Sequence, residues 1–168
     1  MEFREMRRGR QQLSQAQCVE IMNRNTAGVL AVSGDGGYPY AVPLSYVYEN
    51  GKVFFHCAKS GHKLDAIMRE EKASFCVVDR DQVVPEKYTT YYSSVIAFGR
   101  VRVLETESEI REAIELLAKK YSPNESDEAR EREIDGAVPR LCMLRLDIEH
   151  MTGKEAIELA KARQVKID

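Results

Sequence analysis

Short apolar runs separated by polar turns recur along the chain, and they show the two-residue alternation of β-strands. The pattern predicts six strands, which cover residues 28–33, 38–48, 53–57, 73–78, 91–104 and 142–148. Two prolines interrupt the second run, so that it cannot be a regular central strand along its whole length. Asn50-Gly51 follows this run and indicates a tight hairpin into the third run. We therefore expect the first three strands to be consecutive and antiparallel.

The expected strand at 91–104 changes character halfway along. One face is small or apolar throughout, whereas the other begins with Ile96 and Phe98 and continues with Arg100 and Arg102. A strand with apolar side chains on both faces is usually covered on both faces. The first half of this strand should therefore contact the core on one side and another element or subunit on the other.

Helical patterns lie around these strands rather than regularly between them. Three capping-box spacings mark expected helix starts, and they are Ser14 with Gln17, Thr106 with Glu109 and Thr152 with Glu155. The first helix should end near Asn25, the second before Pro123, and the third should run through Ile157. A short helix is expected at 62–70, and the charged segment 124–138 suits a short exposed helix. Hairpin-linked strands with peripheral helices predict an antiparallel barrel rather than βαβ units.

Residues 53–65 (VFFHCAKSGHKLD) combine a β-type run, a small polar turn and the start of a helix. The first amides of a helix lack acceptors within it, and Gly61 lets the backbone approach a ligand closely. Ser60 and Lys63 add a hydroxyl and a positive charge, so that the junction is suited to the phosphate of a cofactor. The alternative is that Ser60 only caps the helix and that Lys63 is a solvated helix residue.

The 168 residues carry 25 basic and 27 acidic side chains, which gives a formal net charge of -2. The length favours one domain over residues 1–168, and the charge gives no general attraction for nucleic acid. No apolar run reaches membrane-spanning length and no signal-peptide pattern is present, so a cytoplasmic protein without a membrane partner is expected. The N-terminal arm differs from this balanced charge, because it is locally basic. It could pair with phosphates or with a partner subunit, although a solvated tail is the commoner explanation. Its basic residues are Arg4, Arg7, Arg8 and Arg10.

The four cysteines, Cys18, Cys57, Cys76 and Cys142, are far apart in the sequence and form no CxxC pair. Three of them lie in apolar strand patterns, which is typical of buried, reduced thiols rather than of a disulfide framework or a zinc site. His56 and Cys57 are adjacent, but successive strand residues point to opposite faces and do not readily share one metal ion. No metal site is therefore predicted.

Three longer segments together resemble a known family. GYPYAVPLSYVYENGKVFFHCAKSGHKLDAI is followed by YYSSVIAFGRVRVLE and then by IEHMTGKEAIELAK. This order resembles the FMN-binding split barrels of the pyridoxamine 5′-phosphate oxidase superfamily, most of all its nitroimidazole-resistance (Nim) branch. The resemblance covers nearly the whole chain. It implies a mainly β fold, a six-stranded antiparallel split barrel with peripheral helices, which forms a homodimer with two FMN molecules at the subunit interface.

The resemblance also implies which residues hold the FMN phosphate. Ser60 and Lys63 fall where the superfamily holds this group, and Gly61 and His62 offer backbone amides. The doubly apolar half of the strand at 91–104 agrees independently with a second copy of the barrel as its cover.

Two further segments and one histidine complete the site that the resemblance implies. Pro43-Leu44-Ser45 would lie along the isoalloxazine ring, where Pro43 frees neighbouring backbone groups to contact the ring. The segment Ser93, Ser94 and Val95 would approach the ring from the other subunit. His56 would face the ring and help to position a substrate or electron acceptor as the candidate catalytic residue. The alternative for His56 is a packed core histidine.

The chain departs from the vitamin B6 oxidases of the superfamily. It contains no tryptophan, and it lacks both the Arg-x-Val-Leu-Leu-Lys strand and the C-terminal Trp-Arg-Leu segment that accompany their substrate site. The resemblance therefore implies an FMN-dependent reductase of nitroimidazoles, other nitroaromatics or related small planar acceptors. Its electrons would come from a reduced nicotinamide or another donor.

Three alternatives stay open at this point. They are a pyridoxamine 5′-phosphate oxidase-like enzyme, a haem-binding split barrel with His56 or His62 as ligand, and a non-catalytic flavin carrier or sensor. The turn at Ser60 to Lys63 favours a flavin over haem, because it suits a phosphate.

Overall fold

The computed structural model describes residues 2–164, so that residue 1 and residues 165–168 of the expected domain lie outside the described part. Seven strands and five α-helices occur in the described part. The strands are β1 (Ala27–Ser33), β2 (Pro39–Ser45), β3 (Val47–Glu49), β4 (Lys52–Ala58), β5 (Lys72–Val84), β6 (Thr89–Val103) and β7 (Leu141–Glu155). The helices are α1 (Gln15–Arg24), α2 (His62–Arg69), α3 (Glu107–Tyr121), α4 (Asp127–Ala137) and α5 (Ile157–Gln164).

The seven strands form one antiparallel sheet in the order β2-β1-β5-β6-β7-β4-β3, which is not closed into a barrel by hydrogen bonds. The prediction of six strands is wrong by one, because the run at 38–48 is divided into β2 and β3. Tyr46 separates them, since its backbone N–H donates to the Tyr121 hydroxyl at 2.9 Å rather than to a neighbouring strand. Consecutive segments therefore form the two edges of the sheet, which must curl to bring them together.

Two apolar clusters lie on the two sides of the curled sheet. The inner face holds the larger one, whose fully buried members include Leu30, Phe55, Phe75, Val95 and, from α1, Met22. The other cluster lies between the outer side of β3, β4 and β7 and helices α3 and α4, and it includes Val47, Ile114, Ile134 and Met143. Strand alternation alone assigns neighbouring residues of β4 and β7 to different clusters.

The helix starts at Ser14 and Thr106 are confirmed. Both bonds of the Ser14–Gln17 capping box are present, and the Thr106 hydroxyl accepts a hydrogen bond from the Glu109 N–H. The charged segment 124–138 contains α4, as its composition suggested. None of the helices within residues 2–164 is long and apolar enough to cross a lipid bilayer.

The third capping prediction is wrong. Thr152 and Glu155 belong to β7, where they lie opposite Ile96 and Ser93 of β6, and α5 begins only at Ile157. Pairing with β6 satisfies the backbone groups of this segment, and it therefore outweighs the local capping signal.

Candidate functional site

The junction between β4 and α2 is open to a ligand at the start of the helix. Gly61 precedes the helix with a φ of 128°, which a residue with a side chain would adopt only with strain, and no side chain caps α2. Ser60 is therefore not the cap of this helix, and the amides of His62 and Lys63 have no acceptor within it. A pocket of about 180 Å³, here named the β4–α2 pocket, includes in its lining Tyr40, Cys57, Ser60, Gly61, His62 and Lys63.

His62 is held in a fixed orientation at this pocket. Its ring stacks on Tyr40 with centroids 4.2 Å apart, and its Nε2 atom accepts a hydrogen bond from the Asp35 N–H at 3.3 Å. Arg69 binds the Asp35 carboxylate at 2.7 Å and thereby steadies the same loop. A haem iron would have to displace the Asp35 amide to reach Nε2, so His62 is better placed to offer its backbone amide.

His56 lies on the side of β4 opposite to Cys57. Its side chain is exposed, so that it is not packed in the core. It lines a groove of about 680 Å³ between the sheet and helices α3 and α4, here named the His56 groove, together with Ser45 from the end of β2. The structure thus brings the candidate catalytic residue together with one end of the segment expected along the flavin ring.

The His56 groove is mainly apolar. Its apolar lining consists of Ile114, Leu117, Ala118, Ala129, Ile134, Ala137 and Leu141, beside Tyr121. Arg130 lines it from α4 with a side chain that is only 12% exposed, and it binds Asp127 at 2.5 Å. The Nε atom of Arg130 is buried and has no acceptor among the described residues. Two carboxylates, Glu125 and Glu133, also line the groove and oppose an anionic ligand.

The segment Pro43-Leu44-Ser45 lies in β2, an edge strand of the sheet. Pro43 and Ser45 are exposed, whereas Leu44 is half-buried against the main core. Pro43 lies opposite Val29 of β1, and its lack of an N–H is tolerated because β2 has a free edge. The contact of this segment with the isoalloxazine ring stays a prediction.

The segment 93–95 lies elsewhere in the protomer. The Ser93 hydroxyl donates to the Asp79 carboxylate at 2.6 Å, Val95 is fully buried, and Ser94 is half-buried on the opposite side of β6. None of the three lines the β4–α2 pocket or the His56 groove. A contact of Ser93, Ser94 or Val95 with the cofactor stays a prediction, and the exposed side of β6 makes Ser94 the best placed to contact a second subunit.

A polar cluster around Asp79 is not apparent from the sequence pattern. A bulge in β5 presents Asp79 to the end of α1, where Arg24 donates to both carboxylate oxygens at 2.7 Å and Asn25 donates at 2.9 Å. These hydrogen bonds lower the pKa of Asp79 to about 2, and the bond from Arg24 has the largest effect. The residues next to Asp79 in the chain do not distinguish it from an ordinary polar strand residue. Its partners Arg24 and Asn25 are more than fifty positions away, and Ser93 lies on the neighbouring strand β6.

An apolar surface, here named the outer face, extends across the middle strands on the side away from the main core. Val29, Cys76 and Ile96 lie side by side in register on β1, β5 and β6, and Phe98 follows on β6. Ile96 is 40% and Phe98 39% exposed. Phe3 from the N-terminal arm lies nearby, with its ring tilted against that of Phe98 and the two centroids 5.7 Å apart. The first half of β6 is thus apolar on both sides, as predicted, and one side lacks a full cover within the described residues.

A comparison with protein families identifies the chain. Residues 14–155 match the family model described as pyridoxamine 5′-phosphate oxidase. The chain belongs to this family. The matched part of this pyridoxamine 5′-phosphate oxidase family member includes the β4–α2 pocket, the His56 groove and the outer face. None of the curated proteins compared with the chain matches it.

Solved structures share the fold of this family member at low sequence identity. A proposed 5-nitroimidazole antibiotic resistance protein from Bacteroides thetaiotaomicron is 20% identical, with 86% of each chain covered and a TM-score of 0.74. A FAD-binding protein from Mesorhizobium loti is 23% identical over 86% of this chain and 96% of its own, with a TM-score of 0.59. A FAD- and haem-binding protein from Mycobacterium smegmatis is 18% identical over 87% and 73%, with a TM-score of 0.72.

Proposed function

We propose that this protein is an FMN-dependent oxidoreductase that reduces nitroimidazoles or related planar acceptors. The observation that carries the proposal is the position of the β4–α2 pocket and the His56 groove at the same end of β4. The pocket combines an uncapped helix start with the Ser60 hydroxyl and the Lys63 ammonium group, a set that suits a phosphate. The groove offers an apolar surface for a planar ligand. Membership of the family supports flavin as the cofactor.

The residues that would hold FMN fit its parts. Lys63 and the amides at the start of α2 would bind the phosphate, and Ser60 would add a hydroxyl donor. Pro43-Leu44-Ser45 would lie along the isoalloxazine ring, because the side chains of Pro43 and Ser45 leave β2 on its exposed side. Bound FMN supplies electron transfer between a reduced nicotinamide, or another donor, and the acceptor.

The His56 groove would select the acceptor. His56 is exposed beside Ser45 and can offer a ring nitrogen to a polar group of the ligand. The unused Nε–H of Arg130 would suit an acceptor oxygen, such as that of a nitro group. Glu125 and Glu133 favour a neutral ligand over a phosphate ester, so that pyridoxamine 5′-phosphate should be a poor substrate.

A homodimer would complete the site. The outer face presents Ile96 and Phe98, and exposed apolar patches of this kind mark association surfaces. A second copy is the proposed cover, because the same β6 strand carries Ser94, which the family resemblance assigns to the cofactor of the other subunit. The shared surface would therefore join dimerisation to flavin binding.

Anaerobic reoxidation of the reduced flavoprotein tests the reaction. FMN-loaded protein, reduced by a reduced nicotinamide or by dithionite, should be reoxidised by a 5-nitroimidazole, as followed at the flavin absorption band. Pyridoxamine 5′-phosphate should yield little peroxide. His56→Ala should keep the flavin and slow reoxidation. Lys52→Ala, at the exposed far end of β4, is the control and should keep both the flavin and the wild-type rate.

Three results would contradict the proposal. Rapid peroxide formation from pyridoxamine 5′-phosphate without reoxidation by nitro compounds would assign an oxidase activity instead. A haem absorption spectrum in place of flavin bands would assign haem as the cofactor, which the Mycobacterium smegmatis protein binds in addition to FAD. Flavin that stays bound while no acceptor is reduced by the protein would indicate a carrier or sensor.

A further inference from the structure

Two of the four cysteines face each other across neighbouring strands. Cys57 of β4 and Cys142 of β7 are directly opposite in the antiparallel register. Both are half-buried free thiols that pack against the main core. Cys18 is fully buried in α1, and Cys76 lies away on β5.

The backbone geometry of this pair is compatible with a covalent link. Opposed residues in antiparallel strands have Cα atoms about 4.5–5.5 Å apart. Disulfides span Cα separations of about 4.4–6.8 Å and need Cβ atoms about 3.5–4.5 Å apart. Directly opposed residues have Cβ atoms about 4.5–5.5 Å apart, so the link needs an approach of about 1 Å and no change in the register between β4 and β7.

Small molecules can reach one member of the pair. Cys57 lines the β4–α2 pocket beside Ser60 and Lys63, and the Lys63 ammonium group favours its thiolate. Burial and then the neighbouring Cys142 raise the pKa of Cys57 to about 11. The thiol is therefore mostly protonated at neutral pH, so the pair should react slowly and stay reduced until an oxidant accumulates.

We propose that Cys57 and Cys142 form a reversible dithiol–disulfide pair whose oxidant is a low-molecular-weight disulfide. The Cys57 thiolate attacks one sulfur of the small disulfide, forms a mixed disulfide and releases one small thiol. The Cys142 thiolate then attacks Cys57 Sγ, closes the cross-strand disulfide and releases the second small thiol. Two protein thiols are oxidised, one small disulfide is reduced to two thiols, and their protons pass to the released thiolates and the solvent.

The link would act on the wall of the β4–α2 pocket. Cys57 is the penultimate residue of β4, and the chain continues from it into the turn at Ser60 and Gly61. A bond to β7 would fix this strand end and remove one thiol from the pocket lining. The assignment of the pair rests on the strand register and on the pocket lining, and not on the identity of the cofactor.

Peptide mapping under non-reducing conditions tests the pair directly, because trypsin places each cysteine in a separate peptide. Cys57 falls in 53–59, Cys142 in 141–145, Cys18 in 11–24 and Cys76 in 73–80. The folded full chain is equilibrated with oxidised and reduced glutathione at graded ratios, quenched with acid, alkylated and digested. We expect a linked peptide of 53–59 with 141–145 to appear as the ratio rises and to disappear after addition of dithiothreitol.

Thiols held next to each other have effective concentrations of about a millimolar or more, so at micromolar protein this link should exceed any cysteine pairing between different protein molecules by about a thousandfold. Cys142→Ser should stop the reaction at the glutathione adduct of Cys57, and Cys18→Ser should leave the link unchanged. Absence of the linked peptide at every ratio would overturn the proposal, above all if Cys142→Ser still forms the adduct. Comparable links to the peptides of Cys18 or Cys76 would also overturn it.

Discussion

His56 and Cys57 are neighbours in the chain, but their side chains line two different cavities. Because β4 alternates, His56 lines the groove under α3 and α4, whereas Cys57 lines the β4–α2 pocket. The same alternation pairs Cys57 with Cys142 on the inner face. Two side chains with different chemistry can therefore act at one strand end without contacting each other.

At the residue scale, Lys63→Ala should weaken FMN binding without unfolding the chain. A hydrogen bond to a charged group contributes about 1.5–3 kcal/mol, which corresponds to about a ten- to hundredfold loss of affinity. Fluorescence titration of apoprotein with FMN measures this loss. Lys59→Ala is the matched control, because Lys59 lies in the same turn but donates to the Pro139 carbonyl at 2.6 Å. Equal affinities of wild type and Lys63→Ala would remove Lys63 from the phosphate site.

The β4–α2 junction could be predicted from the sequence, because its signals are local. A β-type run, Gly61 and the start of a helix are adjacent in the chain, and the structure places Ser60, Gly61, His62 and Lys63 around one pocket. Arg130 could not be predicted, because its position over the groove depends on how α4 packs against the sheet.

At the scale of elements, the strands of the sheet could be recognised from alternation, whereas their ends could not. Tyr46 continues the pattern of β2 into β3, and only its bond to Tyr121 of α3 shows why the strand is interrupted. Thr152 and Glu155 have the spacing of a helix cap, but β6 was available as a partner and extended β7 instead. Contacts between distant segments decided both cases.

The Asp79 cluster joins three elements, the end of α1, the bulge of β5 and, through Ser93, β6. The pKa of Asp79 is about 2 in the folded protein, below its usual value of 3.8. A carboxyl with a lowered folded pKa stabilises the fold above its unfolded pKa and loses this contribution as the pH falls toward the folded value. The stabilisation should therefore be complete above about pH 5 and disappear between about pH 4 and 2.

Asp79→Asn should lower the free energy of unfolding by about 1–2 kcal/mol at pH 7, with allowance for the half-exposed Arg24 partner. The difference from wild type should shrink as the pH falls toward 2. Urea unfolding at several pH values measures it, and Asp81→Asn, an exposed carboxylate in the same strand, is the control. A difference that does not depend on pH would mean that packing, and not the charge of Asp79, stabilises the cluster.

At the scale of the whole molecule, the outer face is an apolar surface on central strands that the fold of one protomer does not cover completely. Val29, Ile96 and Phe98 are each more than a third exposed although they lie on central strands. Phe3 stacks on His150 at 4.5 Å and reaches Phe98, so the N-terminal arm already lies against this surface. Arg4 follows Phe3 directly and is therefore close to the proposed interface, where it could meet a partner subunit.

Ile96→Asp or Phe98→Asp should lower dimerisation and flavin content together. An unpaired charge in a buried interface costs several kcal/mol, which corresponds to at least about a hundredfold in the dimer dissociation constant. Sedimentation with detection at the flavin band measures both quantities in one experiment. Met68→Asp is the control, because Met68 is a highly exposed apolar residue on α2, outside the outer face.

Alkylation of Cys76, which is half-buried on the outer face, should be slow in the wild-type dimer and faster in the two variants. A wild-type monomer that carries a full complement of flavin would refute the shared site, since Ser94 of a partner would then have no part in holding the cofactor.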